Sequence, residues 1–524
     1  MRVVPEKNAI LINPHNKARL MKMIPSAVPV TVDGRKVLAI PHRLDETRVL
    51  NNLGLRVPSP IVHQYEYPRA AFIDMPFKAQ IETAGFLTLN PRAFVLNDLG
   101  TGKTLAALWA YDYLRRKGLV GKLLVICPLS TMDRAWGDEL FAHLSHLKFA
   151  VLHGTRAKRL KLLADKDIDV YIVNHHGIKI INDALEKRED ITNVVVDEIA
   201  QIGRNQSTDI YKAINYTING PIKRNAWGLT ATPIPNDPTD AYAQVRLIAP
   251  HRCNKSFRAF RFDTMTQVSQ FQWRAKKDAI DKVDAFMQPA IRFHRSQCVD
   301  LPPTIYQTYE APLSAAAEKM YKQMKADMSV QVENGEILAV NEAVKAMKLV
   351  QIACGVIYDA DHNEVTVDAK GRMQLCVDIV GQSDSKSIVF VPFRSSIKQV
   401  TAYIEKAGYS VGVIHGGVSK GARDTIFSNF QRAAHPQVIV AQPGAMSHGL
   451  TLTKASTICW YAPITSAEIY EQANGRICRP GQKYTTVIAK IEGTEVERRI
   501  YYRLDNKLAM QNILLERKTF REAA

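Results

Sequence analysis

The sequence predicts an α/β protein with two parallel-sheet lobes, helical insertions and a small α+β domain at the N-terminus. Two successive series of short, uninterrupted apolar runs, separated by helical or loop segments, predict the two sheets. Such runs are typical of parallel strands that helices cover on both faces. The chain has 524 residues, of which 46% are apolar and 23% charged, which is enough sequence for several domains and a large core.

Residues 1–70 are predicted to form the small N-terminal domain. A strand, a short helix, a hairpin around Asp33-Gly34 and a second helix ending near Gly54 give a βαββα order. The proline-rich stretch 58–68 is predicted to be a linker to the next domain.

The first lobe is predicted over residues 71–300 and ends in a helical extension from about residue 251. Its strands are predicted at 93–96, 123–127, 150–153, 169–174, 194–196 and 227–230. A strand series with helices between the strands is the pattern of a nucleotide-binding sheet.

The second lobe is predicted over residues 301–490, with a helical insertion near its start. Its strands are predicted at 387–392, 410–415, 437–442, 456–462 and 485–490. Residues 491–524 are predicted to form a helix whose apolar stripe consists of Val496, Ile500, Leu504 and Leu508. We expect this helix to brace the two lobes.

The charge balance indicates a polyanionic partner. Lys and Arg number 69 against 51 Asp and Glu, which gives a net charge of +18. Nucleic acid is the simplest partner for such an excess, and a basic surface without a partner is the alternative. Seven scattered cysteines without a CxxC pair argue against a zinc site and a disulfide framework, and favour a reducing cytosol. No signal-peptide layout or long apolar run is visible, so we expect a cytoplasmic protein.

Residues 93–104 combine an apolar strand, a glycine loop and the start of a helix. The loop consists of Gly100, Thr101, Gly102, Lys103 and Thr104. Backbone N–H groups of such a loop face an anion, Lys103 adds a positive charge, and Thr104 offers a hydroxyl to Mg²⁺. Asn97 departs from the general pattern, which has glycine six residues before the lysine. Taken alone, the stretch could also be a strand-to-helix turn without a ligand.

Asp197 and Glu198 follow an apolar strand about 95 residues after the glycine loop. An aspartate at that place can hold Mg²⁺ through water, and the adjacent glutamate can polarise the water that attacks the γ-phosphate. Alone, an Asp-Glu pair at a strand end is common surface chemistry. After a phosphate loop, it predicts a site for ATP hydrolysis.

Four motifs together resemble those of superfamily-2 helicase-like ATPases, and are most similar to the Swi/Snf-type DNA translocases. The motifs are DLGTGKT, VVVDEIAQ, LTATPIPN and QANGRICRPGQ, in that order. The resemblance covers residues 76 to about 510 and implies two RecA-like lobes with Mg²⁺ and ATP in the cleft between them. Residues 1–70 resemble the accessory domain of annealing helicases of the HARP type, a covering cap being the alternative.

The resemblance also implies roles for individual residues. They are Gln80 for the adenine, Gln472 for the γ-phosphate or the attacking water, Thr230 and Thr232 for coupling to DNA, and Arg476 and Arg479 as arginine fingers. The two arginines belong to the second lobe and would stabilise the charge of the transferring phosphate when the lobes close. Lys103 and Glu198 complete the expected catalytic set.

DNA is expected to be held through its phosphates, because a motor must not depend on base sequence. The residues that the resemblance assigns to this contact are Ser130, Thr131, Gly416, Gly417 and Ser447. The predicted substrate is duplex or branched DNA, which the protein would remodel at forks or junctions, reanneal or unwind. We expect a monomer of the compact bacterial or phage type, with protein partners in replication or recombination.

Two positions depart from the resemblance. The family usually has Asp-Glu-x-His, whereas Ile199 and Ala200 follow Glu198 here, so Gln201 or Thr230 would have to supply the coupling. Thr451 stands where the family usually has asparagine. The missing histidine and Asn97 keep one alternative open, an ATP-gated nucleic-acid clamp without efficient hydrolysis. A second alternative is an RNA helicase, because no strand-separating wedge can be read from the sequence.

Overall fold

The computed structural model describes residues 1–508 except 33, 70–75, 204, 271, 299–300, 328, 333–334, 339–341, 359–362, 447–450 and 480. The chain divides into two compact units, with the division after Cys298. Each unit has its own sheets and its own buried apolar clusters. Within the described residues, no helix has both the length and the apolar character needed to cross a membrane.

The N-terminal part of the first unit has the predicted α+β fold, and its separation as a domain stays a prediction. Its elements are β1 (Arg2–Val4), β2 (Ala9–Ile12), α1 (Lys17–Met23), β3 (Val28–Val32), β4 (Arg35–Pro41) and α2 (Leu44–Asn52). The four strands form an antiparallel sheet in the order β1-β2-β4-β3. Ile10, Leu38 and Leu50 are fully buried between the sheet and the helices. The observed order is ββαββα, because Arg2–Val4 adds a strand to the predicted pattern.

The rest of the first unit is a parallel α/β lobe. Its elements are α3 (Ile61–Gln64), α4 (Lys78–Leu89), β5 (Arg92–Val95), α5 (Lys103–Arg116), β6 (Lys122–Cys127), α6 (Asp138–His143), β7 (Phe149–Val151), α7 (Arg156–Ala164), β8 (Val170–Asn174), α8 (Ile178–Leu185), β9 (Ile191–Asp197), α9 (Ile199–Ile202), α10 (Asp209–Asn219), β10 (Asn225–Leu229), α11 (Asp240–Ile248), α12 (Phe257–Thr264), β11 (Met265–Gln267), β12 (Trp273–Ala275), α13 (Ala279–Phe286), β13 (Ala290–Ile291) and α14 (Arg295–Cys298). Seven parallel strands pair in the order β13-β5-β10-β9-β6-β8-β7. This sheet confirms the predicted fold class.

Two predictions in this lobe are wrong. The stretch 58–68 is not a free linker, because Tyr65 and Tyr67 are buried and the Tyr65 hydroxyl donates to Asp112 Oδ2 at 2.7 Å on α5. The segment from residue 251 is not purely helical, since it contains the antiparallel hairpin β11–β12 and the sheet strand β13. In both places the predictions relied on the local polarity and periodicity of the sequence. These patterns did not indicate that aromatic or short apolar groups there pack against or pair with other parts of the lobe.

The second unit is also a parallel α/β lobe, as predicted. Its elements are β14 (Thr304–Glu310), α15 (Ala315–Asp327), β15 (Ser329–Val332), β16 (Gly335–Leu338), α16 (Glu342–Ala353), β17 (Val356–Tyr358), β18 (Glu364–Thr366), α17 (Lys370–Gly381), β19 (Lys386–Phe390), α18 (Arg394–Lys406), β20 (Val411–Ile414), α19 (Lys420–Arg432), β21 (Val438–Ala441), β22 (Ala455–Trp460), α20 (Ala467–Asn474), β23 (Thr486–Glu492) and α21 (495–508). Six parallel strands pair in the order β14-β23-β22-β19-β21-β20. The sequence did not indicate β14, which is mostly exposed.

The described part of the C-terminal helix packs on the second lobe. Leu504 is buried in the cluster beneath β22, and Ile500 and Leu508 pack against the same cluster. Glu497 forms a buried ion pair with Arg372 of α17. The apolar stripe is therefore used within this lobe, and a role in bracing both lobes stays a prediction. Residues 509–524 of the predicted helix lie outside the described residues.

Candidate functional site

The loop between β5 and α5 has the backbone of a phosphate-binding loop. Gly100 and Gly102 adopt left-handed conformations with φ of 82° and 76°. A Cβ atom on Gly102 would lie 2.1 Å from Gln80 Nε2, so a side chain there would displace the Gln80 amide and would also be strained by the positive φ. Thr101 Oγ1 donates to the Asp98 carbonyl oxygen at 2.8 Å, which closes the loop on itself. The loop thus presents backbone N–H groups at the N-terminus of α5.

Lys103 begins α5 and lies beside two carboxylates. Its Nζ donates to the carbonyl oxygens of Asn97 at 2.7 Å and Asp98 at 3.2 Å. Burial lowers the pKa of Lys103, and the charges of Glu198 and Asp197 oppose that shift. The ammonium group and the two carboxylates therefore stabilise one another's charged forms at this end of the sheet.

Asp197 ends the central strand β9 and is buried. Its Oδ2 accepts a hydrogen bond from Trp136 Nε1 at 3.0 Å. Its backbone carbonyl oxygen accepts a second hydrogen bond, from His175 Nε2 at 2.9 Å. Burial raises the pKa of Asp197, whereas the Trp136 hydrogen bond and the Lys103 charge oppose the rise. Glu198 has a left-handed backbone with φ of 49°, an uncommon conformation for a residue with a side chain. This turn directs the glutamate away from the line of the strand.

Strand β10 places Thr230 and Thr232, the predicted coupling residues, at the same edge of the sheet. In the register of the sheet, Leu229 pairs with Val95 of β5 on one side and with Asp197 of β9 on the other. Thr230 follows directly and its Oγ1 accepts a hydrogen bond from the Thr232 backbone N–H at 3.1 Å. Thr232 Oγ1 is buried, without a hydrogen-bond partner among the described atoms. The structure thus brings both threonines next to the strand ends that carry the glycine loop and the carboxylates.

Asn97, the departure from the glycine pattern, connects three elements. It is 1% exposed. Its Nδ2 donates to Thr83 Oγ1 of α4 at 2.8 Å, and its Oδ1 accepts from the Phe293 N–H at 3.0 Å. A glycine at this position would make neither contact. These two hydrogen bonds explain why asparagine stands at this position, which the motif pattern alone does not explain.

Asp98 ties the glycine loop to the end of the lobe. Its carboxylate pairs with Arg292 and accepts from the Arg295 N–H at 2.9 Å. Burial alone would raise the pKa of Asp98, but the His294 hydrogen bond and the Arg292 charge hold it well below its usual range. Residues 292–295, at the end of the first lobe, are therefore in direct contact with the phosphate-binding loop.

Gln80, the predicted adenine contact, lies on α4 against the loop. Its Oε1 accepts from the Phe77 N–H at 3.0 Å, which fixes the amide. With Oε1 held in this way, Nε2 faces Gly102. The helix α4 also carries Thr83, so the predicted adenine contact and the Asn97 contact share one element.

The oxygen groups at this edge suit a magnesium ion bound together with phosphates. Thr104 supplies a hydroxyl and Asp197 a buried carboxylate, and both are the hard oxygen ligands that Mg²⁺ prefers. Within the described residues, no group of three or more His, Cys, Asp or Glu side chains forms a complete metal cage. The fit is that of an ion held by a few protein oxygens, with water and substrate phosphates completing the shell.

The paired-arginine loop of the second lobe follows α20. Arg479 Nη1 donates to Thr451 Oγ1 at 3.0 Å, and its Nε donates to the Gly475 carbonyl oxygen at 3.1 Å. Gln472 and Arg476 are each 2% exposed. Gln482 Nε2 donates to the carbonyl oxygens of Ala455 and Ile477, which anchors the loop on β22. Arg479 is thus the more accessible of the two predicted arginine fingers.

The residues predicted to contact DNA fall at loops after parallel strands. Ser130 is exposed in the turn after β6, whereas Thr131 is buried and its hydroxyl donates to the Pro128 carbonyl oxygen at 3.0 Å. Gly416 and Gly417 follow β20, and no atom lies within 4 Å of a Cβ placed on Gly416. Ser447 lies outside the described residues.

Sequence reasoning missed three side chains that shape the site. They are Asp98, Trp136 and Arg292. Trp136 follows the predicted DNA-contact residues Ser130 and Thr131, but the sequence does not show that its indole donates to Asp197. Asp98 and Arg292 are 194 residues apart in the chain, and no local pattern indicates their pairing.

Lys103 beside a strand-end Asp-Glu pair is the arrangement of a nucleoside-triphosphate hydrolase, here in a chain with two parallel-sheet lobes. The model of the SNF2-related domain matches residues 89–355, and that of the helicase conserved C-terminal domain matches residues 371–481. The chain belongs to the SNF2-related family of ATP-dependent helicases and translocases. The predicted family and enzyme class, an ATP hydrolase, are thereby confirmed.

Individual relatives are distant. Protein p41 of Acyrthosiphon pisum secondary endosymbiont phage 1 is 22% identical over 450 residues, which cover 81% of this chain and 94% of the relative. The ATP-dependent helicase MG018 of Mycoplasma genitalium is 24% identical over 402 residues, 75% of this chain and 37% of its own length. The solved SWI2/SNF2 ATPase core of Sulfolobus solfataricus in complex with dsDNA aligns over 85% of this chain and 94% of its own, with 22% identity and a TM-score of 0.40.

Proposed function

We propose that the protein couples the hydrolysis of Mg²⁺-ATP to movement along duplex or branched DNA. The observation that carries the proposal is the meeting of Lys103, Asp197 and Glu198 at one edge of the first sheet. A cation for the phosphates, a metal-binding carboxylate and a base for water are the parts that phosphoryl transfer needs.

Each part of the first-lobe site has a distinct task. The glycine loop and Lys103 bind the β- and γ-phosphates, and Gln80 binds the adenine. Thr104 and Asp197 hold Mg²⁺, which supplies charge neutralisation at the phosphates when bound. Glu198 orients the attacking water and accepts its proton.

Arg476, Arg479 and Gln472 of the second lobe complete the site when the lobes close on ATP. An arginine brought to the transferring phosphate accelerates the reaction by on the order of a thousandfold or more. Closure is then favoured by ATP and released by hydrolysis, which is the two-state behaviour that a motor requires. Asp98 and Arg292 support this coupling, because they join the phosphate loop to the segment that leaves the first lobe.

Contact with DNA is proposed at the phosphate backbone. The net charge of +18 favours a polyanion. Ser130 in the first lobe and Gly416 and Gly417 in the second offer accessible backbone at strand ends, with Arg394 close to Gly417. Such contacts hold any base sequence, as a translocase at forks or junctions must.

The test is phosphate release with and without DNA, for the wild-type chain, Lys103→Ala and Glu198→Gln. We expect DNA to stimulate the wild type and both substitutions to abolish release, while Lys117→Ala at the far end of α5 retains it. Equal, slow release by all four proteins would overturn the proposal. If RNA but not DNA stimulates phosphate release, the proposed function changes from a DNA translocase to an RNA helicase.

One observation favours a second candidate, an ATP-gated clamp without efficient hydrolysis. Ile199 and Ala200 are both fully buried and apolar where the family's coupling histidine usually follows the Asp-Glu pair. In the clamp, ATP strengthens DNA binding but DNA does not accelerate phosphate release. Measuring both quantities on the same sample separates the two candidates.

A further inference from the structure

A cluster of exposed and half-buried cations and rings lies on the helix α12 and the hairpin beside it. Arg258, Arg261 and Phe262 occupy one face of α12, because residues three and four apart share a face. The Phe262 ring is 5.1 Å from the Trp273 ring of β12 at an interplanar angle of 69°. We call these four residues the α12 patch.

The helical residues of the α12 patch lie on the face of α12 that does not pack into the core of the lobe. The opposite face of α12 buries Phe260 and Thr264, and the Phe260 ring packs at 4.6 Å on Phe286 of α13. Phe262 by contrast is 45% exposed. A large apolar ring left in solvent among cations indicates a binding surface.

The arginines of the α12 patch keep their hydrogen-bond donors available. Arg261 lies over the Trp273 ring at 4.0 Å and Arg258 over the Phe262 ring at 5.9 Å. In the described part of the chain, neither arginine has a salt bridge with a carboxylate.

Two carboxylates near the α12 patch form ion pairs with lysines. Asp263 pairs with Lys255, and Asp278 with Lys282. Stacking on a ring fixes a guanidinium group without using its N–H groups, so both arginines are oriented for an external anion.

We propose that the α12 patch binds single-stranded DNA, with phosphates on Arg258 and Arg261 and a base stacked on Phe262. Cations beside an exposed aromatic ring are the elements that bind an unpaired strand. In a duplex, the bases stack on each other and offer no free face to the ring. The inference extends the proposed function, since it gives the motor a contact for the unpaired arm of a branched substrate.

The test is binding of a fluorescent oligo-dT strand and of a blunt duplex by the full-length chain without ATP. We expect Phe262→Ala to weaken oligo-dT binding about tenfold, because one stacked base contributes roughly 1–3 kcal/mol. Phe262→Trp should restore the affinity, and duplex binding should not change. Phe257→Ala, which removes another exposed ring of α12, is the matched control and should bind oligo-dT normally.

The charge contribution is tested with the double substitution of Arg258 and Arg261 by alanine. We expect weaker oligo-dT binding and a salt dependence whose log–log slope is shallower by about 1.4, from two phosphate contacts at about 0.7 each. Unchanged oligo-dT affinity in both the Phe262 and the double-arginine variants would overturn the inference. Equal displacement of oligo-dT by poly-glutamate would instead indicate an acidic protein surface as the occupant, and would also overturn it.

Duplex-stimulated phosphate release separates this inference from the proposed function. A Phe262→Ala chain that still hydrolyses ATP with duplex DNA but binds oligo-dT poorly supports both. A chain that binds oligo-dT through the α12 patch but shows no stimulated release supports the patch alone.

Discussion

Arg479 Nη1 and Thr451 Oγ1 are joined by a 3.0 Å hydrogen bond, so the threonine orients one of the two predicted arginine fingers. We expect Thr451→Ala to lower kcat about fivefold, which corresponds to a lost hydrogen bond of about 1 kcal/mol. KM for ATP should change little, because the arginine acts on the transferring phosphate in the transition state. Steady-state phosphate release over a range of ATP concentrations measures both quantities.

Serine can make the same bond, so Thr451→Ser should retain most of the wild-type kcat. Thr425→Ala, which removes an exposed hydroxyl on α19, serves as the control in the same lobe. A Thr451→Ala chain with unchanged kcat would show that the bond has no part in catalysis.

Asn97→Gly restores the general glycine pattern but should destabilise the first lobe. It removes the bonds to Thr83 Oγ1 and the Phe293 N–H. Leaving a buried donor unsatisfied costs about 1–3 kcal/mol, so we expect a lower urea midpoint without tighter ATP binding. Thr83→Val, which breaks one of the two bonds, should give a smaller loss. Tighter ATP binding by Asn97→Gly would contradict this explanation of the asparagine.

Trp136→Phe should shift the pH dependence of phosphate release. The indole N–H stabilises the Asp197 carboxylate, so its loss raises the pKa of Asp197 further. Activity that needs the ionised form is then lost at a higher pH, so the acid limb of the profile moves upward. The control is Trp109→Phe, which loses a bond to the Pro68 carbonyl oxygen in the same lobe and should leave the limb in place. An acid limb that moves equally in both variants would rule out this role of the indole.

Arg372→Met should strongly destabilise the second lobe. Arg372 is 2% exposed and Glu497 is fully buried, and their ion pair joins α17 to α21. Removing the arginine leaves a buried carboxylate without its cation, at a cost of about 3–5 kcal/mol. Arg498→Met breaks an exposed pair with Glu310 and should cost less than about 1 kcal/mol. Similar urea midpoints for the two variants would show that the buried Arg372–Glu497 pair contributes no more to stability than the exposed pair.

DNA affinity should fall steeply as salt rises and should hardly depend on base sequence. Both follow from binding that is dominated by phosphate contacts. Titrations of duplexes of different sequence at several salt concentrations give the slope. A flat salt response would be inconsistent with a basic DNA-binding surface.

Much of the site was accessible from sequence because its parts are local. Lys103 and Thr104 follow a strand and two glycines, and Asp197 and Glu198 end a strand. The ends of neighbouring parallel strands meet at one edge of a sheet, so the sequence pattern already implied their proximity. The two lobes were predictable for a similar reason, since buried parallel strands are continuously apolar.

The parts that escaped prediction depend on distant pairings. Strand β13 has two residues and acquires its strand character from pairing with β5. Tyr65 and Tyr67 lie in a proline-rich stretch, and their burial follows from contact with α5 rather than from any local pattern. Roles for Asp98, Trp136 and Thr451 likewise emerge from the partner that each side chain meets.

The contacts of Asn97 and Asp98 have a consequence for how the first lobe is assembled during synthesis. Asn97 Oδ1 and the Asp98 carboxylate are both paired with groups at positions 292–295, near the end of the lobe. A nascent chain therefore completes its phosphate-binding loop only after nearly the whole lobe has left the ribosome, because such long-range contacts form late. Fragments that end before residue 290 will carry every nucleotide motif of this lobe and still lack a finished loop.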